Sequence, residues 1–288
     1  MKTLIFGGNG QLGKELTALA AVRGITAVVA DLPEVNICEP LSIEKAVAAA
    51  APDVIINAAA YTAVDKAESE RDLAYKVNAE GAINLALAAK KAGCRFLHVS
   101  TDYVFGDGFD KPITEDAATN PLNVYGASKL EGERGILAEY AEGTLIVRTA
   151  SLHGQYGHNF VHTMLRLFKE REQVSVVTDQ VMSPTWAGWL AKALLELAQQ
   201  DCLGVVHASC GEAVSWFDFA QAILEYSQVK SPSKVKLLPI LAADYPSAAK
   251  RASYSVLDVT KLRGLTSDDF VIGWREGLKS HLKNLGEC

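Results

Sequence analysis

Two side chains of complementary chemistry stand four positions apart in the stretch "NPLNVYGASKLEGER": the phenol of Tyr125 and the ammonium of Lys129. If this stretch is helical, side chains at i and i+4 lie about one turn apart on the same face. A free phenol has a pKa of about 10 and is a poor acid or base at neutral pH. A neighbouring cation lowers that pKa toward the range useful for proton transfer. The spacing therefore predicts a general acid, Tyr125, whose pKa is lowered by Lys129.

The same spacing occurs a second time, at Tyr226 and Lys230 in "EYSQVK", so spacing alone does not identify the pair. The first pair follows Asn120 and Pro121, which favour a helix start with Asn120 as N-cap and Pro121 as the first helical residue. The second pair closes an amphipathic segment, "WFDFAQAILEYSQVK", and precedes a proline-containing loop. Context therefore favours Tyr125 for chemistry, with Tyr226 as a core aromatic and Lys230 as a solvated lysine.

Hydroxyl groups follow the apolar run "RFLHVST", which we predict to be a buried strand ending at Ser100 and Thr101. Doubly wound sheets bind their ligands outside the carboxyl ends of the strands. A hydroxyl at that edge can polarise a carbonyl group. Ser100 and Thr101 are therefore candidate partners for Tyr125.

A glycine-rich turn, "GGNGQLGKEL", joins the first predicted strand to a helix and spaces Gly7, Gly10 and Gly13 as G-x-x-G-x-x-G. Such glycines let backbone N–H groups approach a pyrophosphate, which the helix N-terminus attracts. Asp31 ends the second predicted strand about twenty residues on, where a carboxylate accepts hydrogen bonds from an adenine ribose. A 2′-phosphate would meet a like charge there. The sequence predicts a nicotinamide dinucleotide, NADH or NADPH, with NADH favoured by Asp31.

The elements that must position these residues alternate between short, continuously apolar runs and longer segments of helical period: "TLIFGG", "TAVVAD", "DVIINAA", "RFLHVST" and "TLIVRT" are the runs. Continuous apolar runs suit strands buried on both faces of a parallel sheet. We predict an α/β fold with a doubly wound, Rossmann-like parallel sheet and a smaller C-terminal substrate-binding domain. Residues 1–150 form the dinucleotide-binding domain, to which a segment near 184–210 containing "GVVHAS" returns, and the discontinuous second domain takes most of 151–288.

Composition limits the partners of this 288-residue chain. The net charge is −6 and the basic residues are dispersed, so we expect no nucleic acid. No apolar run approaches the length of a membrane span, and we expect a cytoplasmic protein. The five cysteines fit reduced structural thiols. His158 and His162 would share a helical face, but Asn159 replaces the glutamate of the zinc signature, and we predict no metal site.

Taken in order, the motifs "GGNGQLGKEL", "PDVIINAAAYTAVDKAE", "VSTDYVFGDG", "PLNVYGASKLEGE" and "AAKRASYSVLD" resemble the dTDP-4-dehydrorhamnose reductase family of extended short-chain dehydrogenase/reductases over nearly the whole chain. The resemblance implies that a nicotinamide delivers hydride to C4 of a nucleotide-linked 4-keto-6-deoxyhexose. It implies that Tyr125 donates the proton, that Thr101 orients the carbonyl, and that Lys129 orients the tyrosine and a ribose.

The resemblance also implies two sets of binding residues. Those assigned to the cofactor are Gly7, Asn9, Gly10, Gln11, Leu12, Asp31, Asn36, Ile37, Ala58, Ala59, Ala60, Asn78, Val99, Ser100, Tyr125 and Lys129. Those assigned to the nucleotide-sugar substrate are Thr62, Val64, Thr101, Tyr103, Asn159 and Arg251, the last by a forked contact with the diphosphate. An equal alternative for Asn78 is a buried helix amide satisfied by protein.

Some positions depart from the family pattern. Ser151 stands where the family often has a tryptophan against the deoxysugar, which leaves the sugar open. Members that bind magnesium at a dimer interface use two carboxylates; Glu15 matches one, but Gly188 occupies the place of the other, so a homodimer is expected without that metal. A related deoxysugar reductase, an epimerase that regenerates its cofactor and a non-catalytic dinucleotide-binding subunit remain alternatives.

Overall fold

A parallel sheet of six strands, in the order β2-β1-β3-β4-β5-β10, forms the centre of the protein. The computed structural model describes residues 1–227, 235–266 and 270–287. The strands are β1 (Lys2–Phe6), β2 (Thr26–Ala30), β3 (Val54–Asn57), β4 (Arg95–Thr101), β5 (Thr144–Thr149), β6 (Leu152–His153), β7 (Gln173–Val177), β8 (Val181–Met182), β9 (Thr185–Trp186), β10 (Gly204–His207), β11 (Val214–Ser215) and β12 (Lys236–Ile240). The doubly wound sheet predicted from the apolar runs is confirmed.

The helices follow the strands in the alternation typical of βαβ units. They are α1 (Gln11–Val22), α2 (Pro40–Ala50), α3 (Val64–Ala67), α4 (Arg71–Tyr75), α5 (Ala82–Ala92), α6 (Val124–Tyr140), α7 (Phe160–Glu170), α8 (Ala187–Leu197), α9 (Trp216–Tyr226), α10 (Thr260–Leu265) and α11 (Trp274–Leu285). A π-helical turn spans Lys76–Gly81, and 3₁₀ turns span Asp102–Val104, Ala141–Gly143 and Ala242–Asp244.

Both faces of the sheet are covered, which is why its strands read as continuous apolar runs. Alternate residues of β1 point to opposite faces: Ile5 packs with α1 and α8, whereas Leu4 and Phe6 pack with α2 and α5. All three side chains are buried. Each face therefore has its own apolar layer, and the edge where β1, β3 and β4 end is left to polar loops.

A third apolar cluster builds a second lobe from α7, α9, α11 and β7. Phe168, Phe219 and Trp274 lie at its centre and are buried. In this lobe β7 pairs in parallel with β12, and β8 pairs antiparallel with β11. The short, separate strand pairs explain why the sequence loses its regular alternation after Thr149.

Strand β10 returns from this part of the chain to the main sheet. It pairs in parallel with β5, setting Val206 beside Val147, and α8 packs on α1 just before it. The segment "GVVHAS" therefore joins the sheet, as its apolar pattern indicated. The exact division into residues 1–150 and 151–288 stays a prediction.

Helix α6, which carries Tyr125 and Lys129, begins later than predicted. Its N-cap is Asn123, whose side chain accepts a hydrogen bond from the N–H of Gly126 at 2.8 Å. The predicted N-cap, Asn120, lies in the preceding loop, where its N–H donates to Val104. The prediction of a helix starting at Pro121 was wrong, because the side chain of Asn123 captures the first free N–H group nearer the catalytic motif.

In the ranges 1–227, 235–266 and 270–287, every helix is too short or too polar to cross a membrane.

Candidate active site

The glycine turn forms a close-packed cradle at the end of β1. Gly7 has φ +77°, and a Cβ atom there would collide with the backbone of Ala59 in the loop after β3. A Cβ at Gly13 would collide with the carbonyl of Gly7. No side chain caps α1, whose N-cap is Gly10, so the first N–H groups of the helix face outward. The cradle fits a pyrophosphate bound by backbone N–H groups, with Gln11 and Leu12 in that first turn.

Asp31 stands beside this cradle at the end of β2. Its Oδ2 accepts a hydrogen bond from the N–H of Asn9 at 2.8 Å, and its Oδ1 accepts one from the N–H of Leu32 at 2.8 Å. The carboxylate is thus fixed to the glycine turn while remaining partly exposed. This is the placement that an acceptor for ribose hydroxyls requires.

The remaining cofactor candidates flank the cradle. Asn36 accepts from the N–H of Cys38 at 3.0 Å, and Ile37 is buried in the sheet core. Ala58, Ala59 and Ala60 form the half-buried loop after β3. Further along the edge, the buried Oγ of Ser100 lacks a hydrogen-bond partner among the described residues. The loop after β3 and Ser100 near the end of β4 lie at one edge of the sheet, as the ends of parallel strands must.

At the end of β4, Thr101 begins a 3₁₀ turn and brings a buried carboxylate into the site. The Oγ1 of Thr101 donates to Oδ1 of Asp102 at 3.1 Å and accepts from the N–H of Tyr103 at 3.2 Å. Asp102 is 3% exposed, and burial raises its pKa to about 6, against hydrogen bonds from Ser255 and Thr101 that lower it. Asp102 stands inside the motif "STDYVF" but was not among the site residues predicted from the sequence.

The phenol of Tyr125 enters the same site from the first turn of α6. Burial raises its pKa well above the usual value; a hydrogen bond with Thr101 lowers it, and the nearby carboxylate of Asp102 raises it further. The ring of Tyr125 lies edge-on to that of Tyr103, with centroids 5.4 Å apart. The predicted lowering of the phenol pKa by Lys129 is therefore wrong for this state of the protein.

The reason lies in the partners of Lys129, which is 1% exposed. Its Nζ lies 2.7 Å from the carbonyl of Val99 and 3.0 Å from Nε2 of His98. On the opposite side of the His98 ring, Nδ1 lies 3.0 Å from Nδ2 of Asn57. The lysine is thus directed at β4 rather than at the phenol.

Asn78 is engaged by protein on every side. It lies in the π-helical turn, a type of distortion frequent at functional sites. Its Nδ2 donates to the carbonyl of Tyr61 at 3.1 Å and to Oγ of Ser128 at 3.0 Å, and its Oδ1 accepts from the N–H of Tyr61 at 2.8 Å. Both amide hydrogens are used, which favours the alternative interpretation: Asn78 joins the loop after β3 to α6. Its assignment to the cofactor stays a prediction.

Asn159 likewise has no amide hydrogen left for a sugar. Its Nδ2 donates to Oε1 of Gln11 and to the carbonyl of Gly154, both at 2.8 Å, and its Oδ1 caps α7. In this structure Asn159 links the helix of the glycine turn to the second lobe, and its contact with the substrate stays a prediction. His158 precedes α7 and is exposed, so it shares no helical face with His162.

Arg251 reaches the site from the segment after β12. Its guanidinium forms a two-armed ion pair with Asp65 on α3, with Nη1 3.3 Å from Oδ1 and Nη2 2.9 Å from Oδ2, and it also contacts Ser247. The pairing with Arg251 lowers the pKa of Asp65 to about 2. A further hydrogen bond joins Arg251 to the Tyr103 hydroxyl. The forked cation predicted for the diphosphate is present, but Asp65 occupies the fork.

A cleft opens between the sheet edge and the second lobe. Asp102, Tyr103 and Arg251 give it polar walls. Its apolar wall includes Met182 and Trp216. Ser151, at φ +44°, also faces it, a strained conformation for a residue with a side chain. The cleft therefore offers a cation, a carboxylate and an apolar surface near the phenol of Tyr125.

The other candidates divide between the two lobes. Thr62 is exposed, and Val64 is half-buried at the start of α3. Tyr226 packs against the apolar cluster of the second lobe, with the ammonium of Lys279 4.7 Å from its ring centre. Lys230 lies outside the described residues. The second tyrosine thus belongs to the second lobe rather than to the sheet edge.

The chain matches the family described as "RmlD substrate binding domain" over residues 1–287. It is 41% identical over 292 residues to the dTDP-4-dehydrorhamnose reductase of Aggregatibacter actinomycetemcomitans, covering 97% of each chain. A crystal structure of the dTDP-4-dehydrorhamnose reductase from Clostridium acetobutylicum superposes with a TM-score of 0.93 at 40% identity, covering 99% of this chain and all of that one. The structure of the Bacillus anthracis dTDP-4-dehydrorhamnose reductase in complex with NADP superposes with a TM-score of 0.92 at 38% identity, covering 99% of this chain and all of that one.

Proposed function

Because the chain belongs to the RmlD substrate-binding-domain family, together with curated dTDP-4-dehydrorhamnose reductases, we propose that it reduces the C4 ketone of dTDP-4-dehydro-L-rhamnose to give dTDP-L-rhamnose. It is an oxidoreductase that uses a nicotinamide cofactor. One observation of the site carries the assignment: a half-buried tyrosine and a threonine hydroxyl meet at the strand edge, next to a glycine cradle suited to a dinucleotide.

The reaction requires a hydride for C4 and a proton for its oxygen, and the bound nicotinamide supplies the hydride. When substrate binds, the hydroxyl of Thr101 turns from Asp102, donates toward the ketone oxygen and holds it against the phenol. Tyr125 gives its proton to the oxygen as negative charge develops there. A phenol whose pKa is raised by burial keeps its proton until such an anion forms, which suits a proton donor.

The walls of the cleft suit the rest of the substrate. Arg251 binds the diphosphate once its fork turns from Asp65. The carboxylate of Asp102 accepts a hydrogen bond from a sugar hydroxyl. Because Asp102 lies beside Thr101, this bond helps to position the sugar ring relative to the Thr101 hydroxyl. Met182 and Trp216 provide the apolar surface for the C6 methyl group, in place of a larger side chain at Ser151.

For the cofactor, Asp31 supports a preference for NADH, because its fixed carboxylate would repel a 2′-phosphate. The homodimer and the cytoplasmic location stay predictions.

The test is to incubate the purified protein with dTDP-4-dehydro-L-rhamnose and equal concentrations of NADH or NADPH. Loss of reduced-nicotinamide absorbance should match the formation of dTDP-L-rhamnose one to one, identified by NMR of the sugar. Product formed without net oxidation of the cofactor would indicate an epimerase instead. Intact cofactor binding with no product from this sugar, but turnover of another 4-keto-6-deoxyhexose, would reassign the substrate. Binding without turnover of any such sugar would indicate a non-catalytic subunit.

A further inference from the structure

The hydrogen bonds around His98 fix where its proton lies. The Oδ1 of Asn57 accepts from the backbone N–H of Ala59 at 3.0 Å, and a backbone N–H can only donate. The amide of Asn57 is therefore oriented with its Nδ2 toward His98, 3.0 Å from Nδ1. Because Nδ2 also only donates, Nδ1 of His98 must be the acceptor. A neutral imidazole has one N–H, so the proton of His98 lies on Nε2.

That proton points at Lys129. The Nζ of Lys129 lies 3.0 Å from Nε2 of His98, and two donors cannot face each other at this distance. A charged ammonium has three hydrogens and no lone pair, whereas a neutral amine has one lone pair to accept with. The amine can accept from His98 and still donate to the carbonyl of Val99 at 2.7 Å. The neutral amine alone satisfies every contact.

We propose that His98 is a positioning residue that holds Lys129 as an uncharged amine, and that binding of a nicotinamide dinucleotide releases Lys129 with uptake of one proton from solvent at Nζ. The proposal rests on the cofactor assigned above. The amine bond to His98 breaks, Nζ gains the proton, and the ammonium then faces the ribose and phenol. The catalytic pair would thus be assembled by the cofactor rather than preformed.

The surroundings of the pair agree with this proposal. His98 is 0% exposed, and burial lowers its pKa well below 6.5, so the imidazole is neutral. Burial lowers the pKa of Lys129 to about 8, against the carboxylate of Glu133, which raises it. That carboxylate is itself paired with Arg148 at 2.6 Å on β5. The phenol of Tyr125 lies one turn before Lys129 and keeps its proton.

The link to the cofactor runs through the loop after β3. Asn57 is buried, and the N–H that orients its amide belongs to Ala59, which also contacts the glycine cradle at Gly7. The chain Ala59–Asn57–His98–Lys129 therefore connects the predicted dinucleotide loop to the lysine through three hydrogen bonds.

The first test uses nitrogen-15 NMR of the imidazole rings in the cofactor-free protein at about pH 8. His98 is assigned by the signal lost in His98→Gln, with His158→Gln as the exposed control. We expect the Nε2-protonated tautomer. The Nδ1-protonated tautomer would overturn the proposal, and this outcome does not depend on which cofactor binds.

The second test measures proton uptake on NADH binding by calorimetry at about pH 8 in two buffers of different ionisation enthalpy. We expect uptake of roughly half a proton or more per NADH bound. This uptake should be lost in Lys129→Met and in His98→Leu. It should be retained in His98→Gln, because the glutamine amide can still donate to Nζ of Lys129. Binding without uptake in the parent protein would refute the proposal, as would uptake that persists in Lys129→Met. Absence of any binding would instead remove the cofactor assignment, and the tautomer would then decide the role of His98.

Discussion

The ring of Tyr125 meets the ring of Tyr103 edge-on at 5.4 Å, and the hydroxyl of Tyr103 bonds to Arg251. The proton donor and the cation assigned to the diphosphate thus belong to one packed unit. An edge-on aromatic pair adds roughly 0.5–1.5 kcal/mol beyond area burial and fixes the relative angle of the rings. A substrate that moves Arg251 therefore acts on the surroundings of the reacting phenol.

Removing the phenolic proton should abolish most of the turnover. We expect Tyr125→Phe to lower kcat by roughly 10²–10⁴-fold, the usual contribution of a general acid, while NADH affinity changes little. Tyr226→Phe is the matched control, since Tyr226 packs in the second lobe. Steady-state kinetics and NADH titration measure both effects. Full turnover in Tyr125→Phe would mean that the wrong tyrosine was selected.

Binding of the nucleotide sugar should depend on the two-armed guanidinium of Arg251 more than on its positive charge. Arg251→Lys keeps a cation but loses the second arm, and we expect KM for the nucleotide sugar to rise roughly 10- to 100-fold, equivalent to about 1.5–3 kcal/mol. The exposed Arg171 offers a control, Arg171→Lys, that should leave KM unaltered. An unchanged KM in Arg251→Lys would place the diphosphate elsewhere.

Cofactor preference should depend on the carboxylate fixed beside the glycine turn. Asp31→Ser removes the charge that a 2′-phosphate would meet, so the ratio of kcat/KM for NADPH to that for NADH should rise by about tenfold or more. Asp72→Ser on the exposed face of α4 serves as control. The idea fails if the ratio in Asp31→Ser equals that of the parent protein.

The buried carboxylate of Asp102 should lower the free energy of unfolding at neutral pH. Its folded-state pKa is raised from 3.8 to about 6, so between these values the folded protein binds more protons than the unfolded chain. Stability from this group is present below about pH 4 and is lost as pH rises through about 6. Asp102→Asn should therefore raise the free energy of unfolding at neutral pH, by up to about 3 kcal/mol, while slowing turnover. Urea titrations at acid and neutral pH would show whether the gain disappears in acid.

A buried group of histidines should make the second lobe sensitive to acid. Nδ1 of His153 lies 3.0 Å from Nδ1 of His281, and the ring of His162 lies 5.3 Å from that of His281. Burial lowers the pKa of His281 to about 3 and that of His153 well below 6.5. Below pH 6.5 the unfolded chain binds protons that the folded protein excludes, so stability should fall by about 1.4 kcal/mol per pH unit for each histidine.

His281→Gln should remove one such contribution and flatten the decline, whereas His158→Gln, on an exposed histidine, should not. Chemical denaturation between about pH 7 and 4 measures the slope. Equal slopes in His281→Gln and the parent protein would contradict this account.

The sequence predicted the features that depend on local pattern. The apolar runs became β1 to β5 and β10, and the glycine turn lies between β1 and α1, because burial on both faces and tight turns leave a signal within a few residues. The helix start was displaced to Asn123, since two asparagines three residues apart both suit an N-cap. Only tertiary contacts choose between them.

The features that the sequence did not predict depend on distant partners. His98 and Lys129 are 31 positions apart, and Arg251 and Asp65 are 186 apart. Neither pair follows a spacing rule. The expected effect of Lys129 on Tyr125 failed for the same reason: helical spacing puts the side chains on one face, but a histidine on the neighbouring strand determines where the amine points.

The return of β10 to the sheet has a consequence for dividing this protein. A fragment ending at Thr149 would leave β5 as an unpaired edge and expose the side of α1 against which α8 packs. The C-terminal lobe is therefore not a cassette that one cut can release or exchange. Any chimera that alters sugar choice must have a junction on each side of β10, leaving that strand with its original sheet.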